Sequence, residues 1–244
     1  MRTSGKGHAS DKPQNDRENP AAGALESAER HIAGSAGSSS SCDGSGAAFA
    51  SAFSALVDWA EGHALIRVQS DFDFFERPPD SRGNEHEVWH DPASKRWFKV
   101  TYLNRFGLPW GEGQSATPHE YLLRLLLQNI YFGDKVYLVA IINCEGRIRV
   151  LTSQPHVAGD YATPDEIQRW FRGHAFRRIE TERRIAWYLK SENLLIADAH
   201  EGNVIRTAAG TLVPIDLNLV QPKGPLLEWV QFQITGQAQL TLRL

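Results

Sequence analysis

Three oxygen-bearing residues in the last fifth of the sequence have types and spacing that could support phosphate chemistry. Asp198 and Asn203 lie five positions apart in a polar loop, and Asp216 stands within the apolar run 213–217. A carboxylate among such apolar neighbours is costly to bury unless it is paired, hydrogen-bonded or bound to a metal. Mg²⁺ takes few protein oxygens and leaves its other positions to water and substrate. These residues therefore predict a site that holds Mg²⁺ and a phosphate.

The apolar runs on either side of the polar loop predict the elements that position it. Both runs are short enough to be strands, and Ala209-Gly210 predicts the turn of a hairpin, because glycine adopts the positive φ of a tight turn. Asp198 and Asn203 then lie on a loop, and Asp216 lies at the end of the returning strand. The three side chains converge at one end of a small sheet.

This loop carries a family resemblance. Asp198-Ala-His-Glu-Gly-Asn203 followed by Ile215-Asp216 resembles the catalytic loop and metal-binding Asp of the protein-kinase-like fold. The form with His and Gly inside the loop is closer to aminoglycoside-phosphotransferase-type small-molecule kinases than to eukaryotic protein kinases. The stretch from about residue 85 to residue 222 also resembles the kinase domains found within polyvalent proteins of phages and conjugative elements.

The resemblance implies ATP and Mg²⁺ as cofactors and a role for each residue. Asp198 would accept the proton of an attacking hydroxyl, while Asn203 and Asp216 would hold Mg²⁺ on the phosphates. Lys99, in a strand between Phe98 and Val100, would contact the α- and β-phosphates of ATP. Glu120 would pair with Lys99 and orient it. The partners implied are ATP and a hydroxyl-bearing acceptor, which is either a protein Ser, Thr or Tyr or a small molecule.

Lys99 and Glu120 also have simpler interpretations. Most strand lysines point to solvent. Thr117-Pro118-His119-Glu120 has the pattern of a helix N-terminus, with Thr as N-cap, Pro at the first position and Glu closing a capping box. Capping contributes about 1 kcal/mol, and it does not exclude an ion pair between Glu120 and Lys99.

The nucleotide base has only a positional expectation. Strands are predicted at 135–143 and 147–152, and the chain leaves the sheet at Ser153-Gln154. In a kinase-like fold this segment is the hinge between two lobes, whose backbone hydrogen-bonds the adenine edge. Upstream, Gly83 alone stands where a kinase-like Gly-rich loop would lie.

Composition bounds the class of protein. The chain has 244 residues, a net charge of −3 and two cysteines at unrelated positions. No basic field points to nucleic acid, no apolar run approaches the length of a membrane span, and a reducing, cytoplasmic location is expected.

The composition also changes along the chain. Residues 1–50 are rich in Gly, Ala and Ser towards their end and are expected to be a disordered low-complexity tail, with a short weak helix around Leu25 to Ile32. The resemblance divides the remainder into an N-lobe at 51–152 and a reduced C-lobe at 153–244, which carries the catalytic loop. The predicted fold class is α+β: a two-lobed protein-kinase-like fold with a mainly antiparallel N-lobe sheet.

Two other functions fit the same residues. A catalytically weak or inactive kinase-like module that binds nucleotide or a partner is favoured by the missing Gly-rich loop and the short second lobe. A metal-dependent hydrolase would use Asp198, His200 and Asp216 and would have no need of Lys99.

Overall fold

A computed structural model of the protein describes residues 20–36, 45–107, 115–180 and 185–235. Within these ranges the helices are α1 Pro20–Ala36, α2 Ser45–Gly62, α3 Pro118–Phe132, α4 Pro164–Gly173 and α5 Gly224–Thr235. The strands are β1 Ile66–Arg67, β2 Ser81–Arg82, β3 His86–Asp91, β4 Arg96–Thr101, β5 Tyr137–Cys144, β6 Arg147–Pro155, β7 Asp160–Tyr161, β8 Arg177–Glu180, β9 Ile185–Leu189, β10 Leu194–Ala197, β11 Val204–Arg206, β12 Leu212–Pro214 and β13 Asn218–Val220.

The larger sheet has six strands in the order β1-β5-β6-β4-β3-β2. β1 runs parallel to β5, and the other neighbouring strands are antiparallel. In the register of this sheet Lys99 of β4 lies opposite Val88 on one side and Thr152 on the other. Directly opposed residues of an antiparallel pair share a face, so Lys99 lies on the face that also carries Val88 and Thr152.

The helices α1, α2 and α3 cover one face of this sheet. Their apolar side chains form a single buried core with Leu138, Ile141 and Val150 of the sheet. The opposite face is covered by a segment of two short 3₁₀ turns, in which Phe74 stacks on Phe98 and contacts Trp89. The sheet is therefore buried on both sides.

The helix α1 corrects the expectation of a disordered tail. Its side chains Leu25, Ala28 and Ile32 are at most 1% exposed and pack in the core with α2 and α3. They recur at three- and four-residue spacing, which gives one apolar face to an otherwise small and polar segment. Composition alone does not predict that this segment folds, because only three apolar side chains pack it against the core. The rest of the expected tail, residues 1–19 and 37–44, lies outside the described part of the chain.

The C-terminal part of the chain builds two smaller sheets. One has the order β13-β10-β9-β8, and the other has the order β12-β11-β7. The apolar side chains of α4 and of both sheets form a second core, which Leu127 of α3 joins. Because Leu122 of the same helix lies in the first core, α3 packs against both parts. The proposed boundary between residues 152 and 153 falls inside β6, and the division into lobes stays a prediction.

The fold is mixed α+β with mainly antiparallel sheets, as the sequence predicts. The capping box of α3 forms as expected, and Gly133 at φ 65° caps the C-terminal end of the helix. Among the described residues, no helix is long and apolar enough to cross a membrane.

Candidate active site

The polar loop after β10 is held together by one side-chain amide. The Nδ2 group of Asn203 donates to the backbone oxygen of Asp198 at 2.9 Å, to Oδ2 of Asp198 at 3.3 Å and to the backbone oxygen of Asp216 at 3.3 Å. These three acceptors fix the orientation of the amide, so that Oδ1 is left as its acceptor atom. The predicted convergence of Asp198, Asn203 and Asp216 is therefore present in the structure.

His200 is oriented towards Asp198. The backbone N–H of Gly202 donates to Nδ1 of His200 at 3.0 Å, and Nε2 of the same ring lies 3.6 Å from Oδ1 of Asp198. Since Nδ1 accepts a hydrogen bond, a neutral ring carries its proton on Nε2, facing the carboxylate. The Asp198 side chain is 60% exposed, so its carboxylate is open to solvent.

Asp216 forms an ion pair with Lys99 across the cleft. The Lys99 ammonium donates to Oδ1 of Asp216; the lysine side chain is 11% exposed and the Asp216 side chain 44%. Loss of solvent in the cleft opposes ionisation of Asp216, but the charge and hydrogen bond of Lys99 outweigh it and hold the pKa of Asp216 below its ordinary value. The predicted lysine thus faces the site rather than bulk solvent.

Both aspartates have a left-handed backbone. Asp198 has φ 64° and Asp216 has φ 52°. Asp is among the few non-glycine residues that adopt this region, and such conformations cluster at functional sites because the surroundings must stabilise them. Here the Asn203 amide contacts the backbone oxygens of both residues.

The expected ion pair between Glu120 and Lys99 is wrong. Glu120 is exposed, and its Oε2 accepts the backbone N–H of Thr117 at 2.7 Å while its own N–H donates to the Thr117 hydroxyl. Its position in the first turn of α3 commits the carboxylate to the capping box, and Lys99 pairs with Asp216 instead.

The hinge expectation needs a correction for Ser153. β6 continues to Pro155, and Ser153 and Gln154 pair with Phe98 and Trp97 of β4. The Ser153 carbonyl accepts a hydrogen bond from the Arg96 guanidinium at 3.0 Å, and the residue is buried. Gln154 is also buried, and its side chain lines the cleft. The strand runs further than predicted because β4 continues to pair with it.

One cleft of about 1470 Å³ lies between the larger sheet and the polar loop after β10. Its lining includes Lys99, Gln154, Asp198, Asn203 and Asp216. It also contains polar residues that the sequence did not point to: Glu85, His86, Tyr121, Arg124 and Asp134.

Asp134 lies on the inner wall of the cleft. It is 6% exposed and accepts a hydrogen bond from Nε2 of Gln154 at 3.3 Å. Burial, followed by the charge of Asp216, raises the pKa of Asp134 to about 7, although Lys99 opposes the shift. Its position directly after the helix-capping Gly133 gave no signal in the sequence, because an Asp there is an ordinary loop residue.

Glu85, in the turn between β2 and β3, and His86, the first residue of β3, contact α3. Glu85 forms a bidentate ion pair with Arg124, with distances of 3.1 Å and 2.6 Å. Nε2 of His86 lies 2.9 Å from the Tyr121 hydroxyl. Burial and the nearby positive charge of Lys99 lower the pKa of His86 to about 4, so its ring is neutral at pH 7. One signal could have revealed the ion pair: Arg124 stands among five leucines of α3, where a charge requires a partner.

The site offers few ligands for a cation, and they suit Mg²⁺. No group of three or more His, Cys, Asp or Glu side chains in the described ranges is placed to hold a metal. Asp216 supplies a partly exposed carboxylate, and the oriented Asn203 presents an amide oxygen. One or two protein oxygens together with substrate phosphates are the usual ligand set of Mg²⁺. Asp216 and Asn203 therefore fit a Mg²⁺–phosphate site better than a closed metal centre.

An antiparallel sheet that places a lysine opposite an Asp-x-x-x-x-Asn loop and a second aspartate defines a protein-kinase-like domain. A family model described as Serine/Threonine/Tyrosine Kinase found in polyvalent proteins matches residues 51–220. The chain belongs to this family. No curated protein and no solved structure matches the chain.

Proposed function

We propose that this protein is an ATP- and Mg²⁺-dependent phosphotransferase that moves the γ-phosphate to a hydroxyl acceptor. The observation that carries the proposal is one connected set of contacts within a single cleft. Lys99 pairs with Asp216, and Asn203 donates to both Asp216 and Asp198. Lys99 and three residues of the segment 198–216 are held together in the combination that phosphoryl transfer requires.

Asp198 is the proton acceptor in this proposal. The acceptor hydroxyl gives its proton to the Asp198 carboxylate as its oxygen attacks the γ-phosphorus of ATP, and the bond from that phosphorus to the β–γ bridging oxygen breaks so that ADP leaves. The Asn203 amide donates to Oδ2 of that carboxylate at 3.3 Å, and Nε2 of His200 lies 3.6 Å from its Oδ1. Its exposure leaves room for the acceptor, and its fixed orientation supplies the positioning on which such transfer mainly depends.

Lys99, Asn203 and Asp216 bind the nucleotide's phosphate end. Lys99 neutralises charge on the phosphates that are not transferred, and Asp216 and Asn203 are the residues that would hold Mg²⁺. Bound Mg²⁺ supplies neutralisation of the charge that develops on the phosphates. The family description names serine, threonine and tyrosine, so protein hydroxyls are the first acceptors to test, followed by small molecules.

The proposal is tested by calorimetric titration of Mg-ATP into the wild type and Asp216→Ala. We expect saturable binding that depends on Mg²⁺ and is weakened at least about tenfold in Asp216→Ala, since a metal-ligating carboxylate is removed. Asp58→Ala, at an exposed position of α2, is the matched control and should bind as the wild type does. A well-folded wild type that binds no Mg-ATP would contradict the proposal.

A kinase-like module that binds nucleotide without turnover is the second candidate. It is favoured by the capping role of Glu120, which leaves Lys99 without the helix carboxylate expected of an active kinase. This candidate predicts Mg-ATP affinity with no loss of γ-phosphate. The metal-dependent hydrolase has no such support, since no three-residue metal group occurs among the described residues.

A further inference from the structure

The turn between β2 and β3 is short and lies against the cleft. Gly83, Asn84 and Glu85 connect the two strands and line the same cleft as Lys99. The N–H of Gly83 donates to the His86 carbonyl at 2.9 Å, and the Tyr102 hydroxyl donates to the Gly83 carbonyl at 2.9 Å. One glycine and these hydrogen bonds replace the longer glycine-rich loop expected at this place. These hydrogen bonds fix the backbone of the turn, and contacts with other elements add to its placement beside the cleft.

The helix α3 supplies such contacts. The Glu85 carboxylate accepts a hydrogen bond from each terminal nitrogen of Arg124, and the adjacent His86 contacts the Tyr121 hydroxyl. Tyr121 and Arg124 are three positions apart and therefore lie on one face of the helix. The Arg124 side chain is 11% exposed and its guanidinium lies 5.2 Å from the centre of the Tyr121 ring. Charge, geometry and burial all restrain the same contact.

Gly107 encloses the carboxylate on the other side. It has φ 87°, and a Cβ built there would lie 2.3 Å from Oε1 of Glu85. Only glycine satisfies both the backbone conformation and this approach. Burial by itself lowers the pKa of Arg124. The charge of Glu85 and its hydrogen bonds have the larger, opposite effect, so that the pKa of Arg124 lies above its ordinary value. Glu85 is thus held between a helix and a backbone segment that is fitted to it.

We propose that the Glu85–Arg124 pair holds the β2–β3 turn against the phosphate end of a bound nucleotide, and that Arg124 is a positioning residue of this site. This inference rests on the proposed function. Glu120 caps α3 and does not reach Lys99, whereas Arg124 connects α3 to the turn that lines the cleft. The occupant is the polyphosphate of the nucleotide, because the turn and Lys99 line the same cleft.

The test compares ATP with adenosine, which lacks phosphates, by calorimetry in Mg²⁺ on the wild type and Arg124→Met. We expect Arg124→Met to weaken ATP binding about tenfold or more, because the substitution removes both hydrogen bonds between Arg124 and Glu85 and so releases the turn from α3. Adenosine binding should change less than about twofold. If the pair served only stability, a folded variant would lose affinity for both ligands equally or for neither, and that result would overturn the inference.

Arg149→Met is the matched control. The Arg149–Glu87 pair joins two strands of the larger sheet, β6 and β3. Its side chains are 9% and 20% exposed, close to the 11% and 25% of Arg124 and Glu85. It faces Phe75 on the other side of the sheet. Its loss should destabilise the fold comparably and leave the ratio of ATP to adenosine affinity unchanged; a changed ratio would contradict the inference.

Glu85→Gln decides the question if Arg124→Met does not fold, since it keeps the shape and removes the charge. It should also weaken ATP selectively, and equal ATP affinity in folded Glu85→Gln would overturn the inference. A wild type that binds ATP no more tightly than adenosine would overturn the inference as well. A wild type that binds neither ligand would contradict the proposed function itself.

Discussion

At the scale of single residues, Lys99 separates the candidate functions. It lies opposite Thr152 in the sheet and contacts Asp216 across the cleft. A phosphotransferase needs this charge at the phosphates, whereas a hydrolase built on Asp198, His200 and Asp216 does not. The choice between the two therefore depends on one ammonium group.

We expect Lys99→Met to weaken Mg-ATP binding about tenfold or more, because the methionine keeps the stem and removes the charge that meets the phosphates. Calorimetry measures the change. Lys95→Met, at the exposed turn of the same hairpin, is the control and should have no effect. Equal affinity in folded Lys99→Met would contradict the assignment of Lys99.

Asp134 predicts a pH dependence of stability. Its pKa in the folded protein, about 7, lies above the ordinary value of 3.8, so the folded state binds more protons than the unfolded state between these values. The free energy of unfolding therefore loses this contribution as pH rises through that window. His86, whose pKa is lowered to about 4, acts in the opposite direction below its ordinary value of 6.5.

Asp134→Asn isolates the contribution of Asp134 to the pH dependence of stability, because the contribution of His86 is the same in the wild type and in the variant. We expect the unfolding free energy of Asp134→Asn relative to the wild type to increase by roughly 1–3 kcal/mol between about pH 5 and about pH 8. Urea denaturation at the two pH values measures it, and Asp58→Asn should show no such change. A relative stability that does not vary with pH would mean that Asp134 is ionised throughout.

At the scale of elements, α3 has two separate tasks. Its first turn is capped by Thr117 and Glu120, and its middle presents Tyr121 and Arg124 to the cleft. The two tasks are one turn apart on the same helix. Substitutions can therefore distinguish stability from ligand binding.

Glu120→Ala should lower the free energy of unfolding by about 1 kcal/mol and leave Mg-ATP affinity within about twofold, because its carboxylate closes a capping box and does not reach Lys99. Chemical denaturation and calorimetry measure the two quantities. Glu166→Ala in the equivalent box of α4 is a stability comparison, although Glu166 also pairs with Arg206. A loss of ATP affinity in Glu120→Ala as large as in Lys99→Met would support the predicted ion pair between Glu120 and Lys99.

The sequence predicts local features better than distant contacts. The capping box of α3 and the Asp198–Asn203 spacing each involve residues within a few positions, and the type of each residue is specific to its task. The partner of Lys99 lies 117 residues away, and Arg124 lies 39 residues from Glu85. Pairing at such separations depends on the sheet register and the position of α3, which residue types alone do not encode.

At the scale of the whole molecule, α1 is part of the folded domain. Ile32 is fully buried in the core that also contains Leu56 of α2 and Leu122 of α3. This segment precedes the region that matches the family, residues 51–220. The folded unit therefore extends beyond the matched region at its N-terminal side.

We expect Ile32→Ala to lower the free energy of unfolding by about 2–5 kcal/mol, the usual cost of a cavity in a packed core. Ile130→Ala, at a side chain that is 62% exposed, should change it by less than about 0.5 kcal/mol. Chemical denaturation measures both. Equal, small effects would mean that α1 does not dock.

The most direct test of the central claim is the loss of γ-phosphate from Mg-ATP, to water, to the protein itself or to an added acceptor, in the wild type and Asp198→Asn. We predict turnover by the wild type and a fall of about 10²–10⁴-fold in Asp198→Asn, with ATP affinity unchanged, because only the proton acceptor is lost. Lys95→Met should turn over as the wild type does. Turnover that persists in Asp198→Asn, or its absence in a wild type that binds Mg-ATP, would contradict a phosphotransferase that uses Asp198.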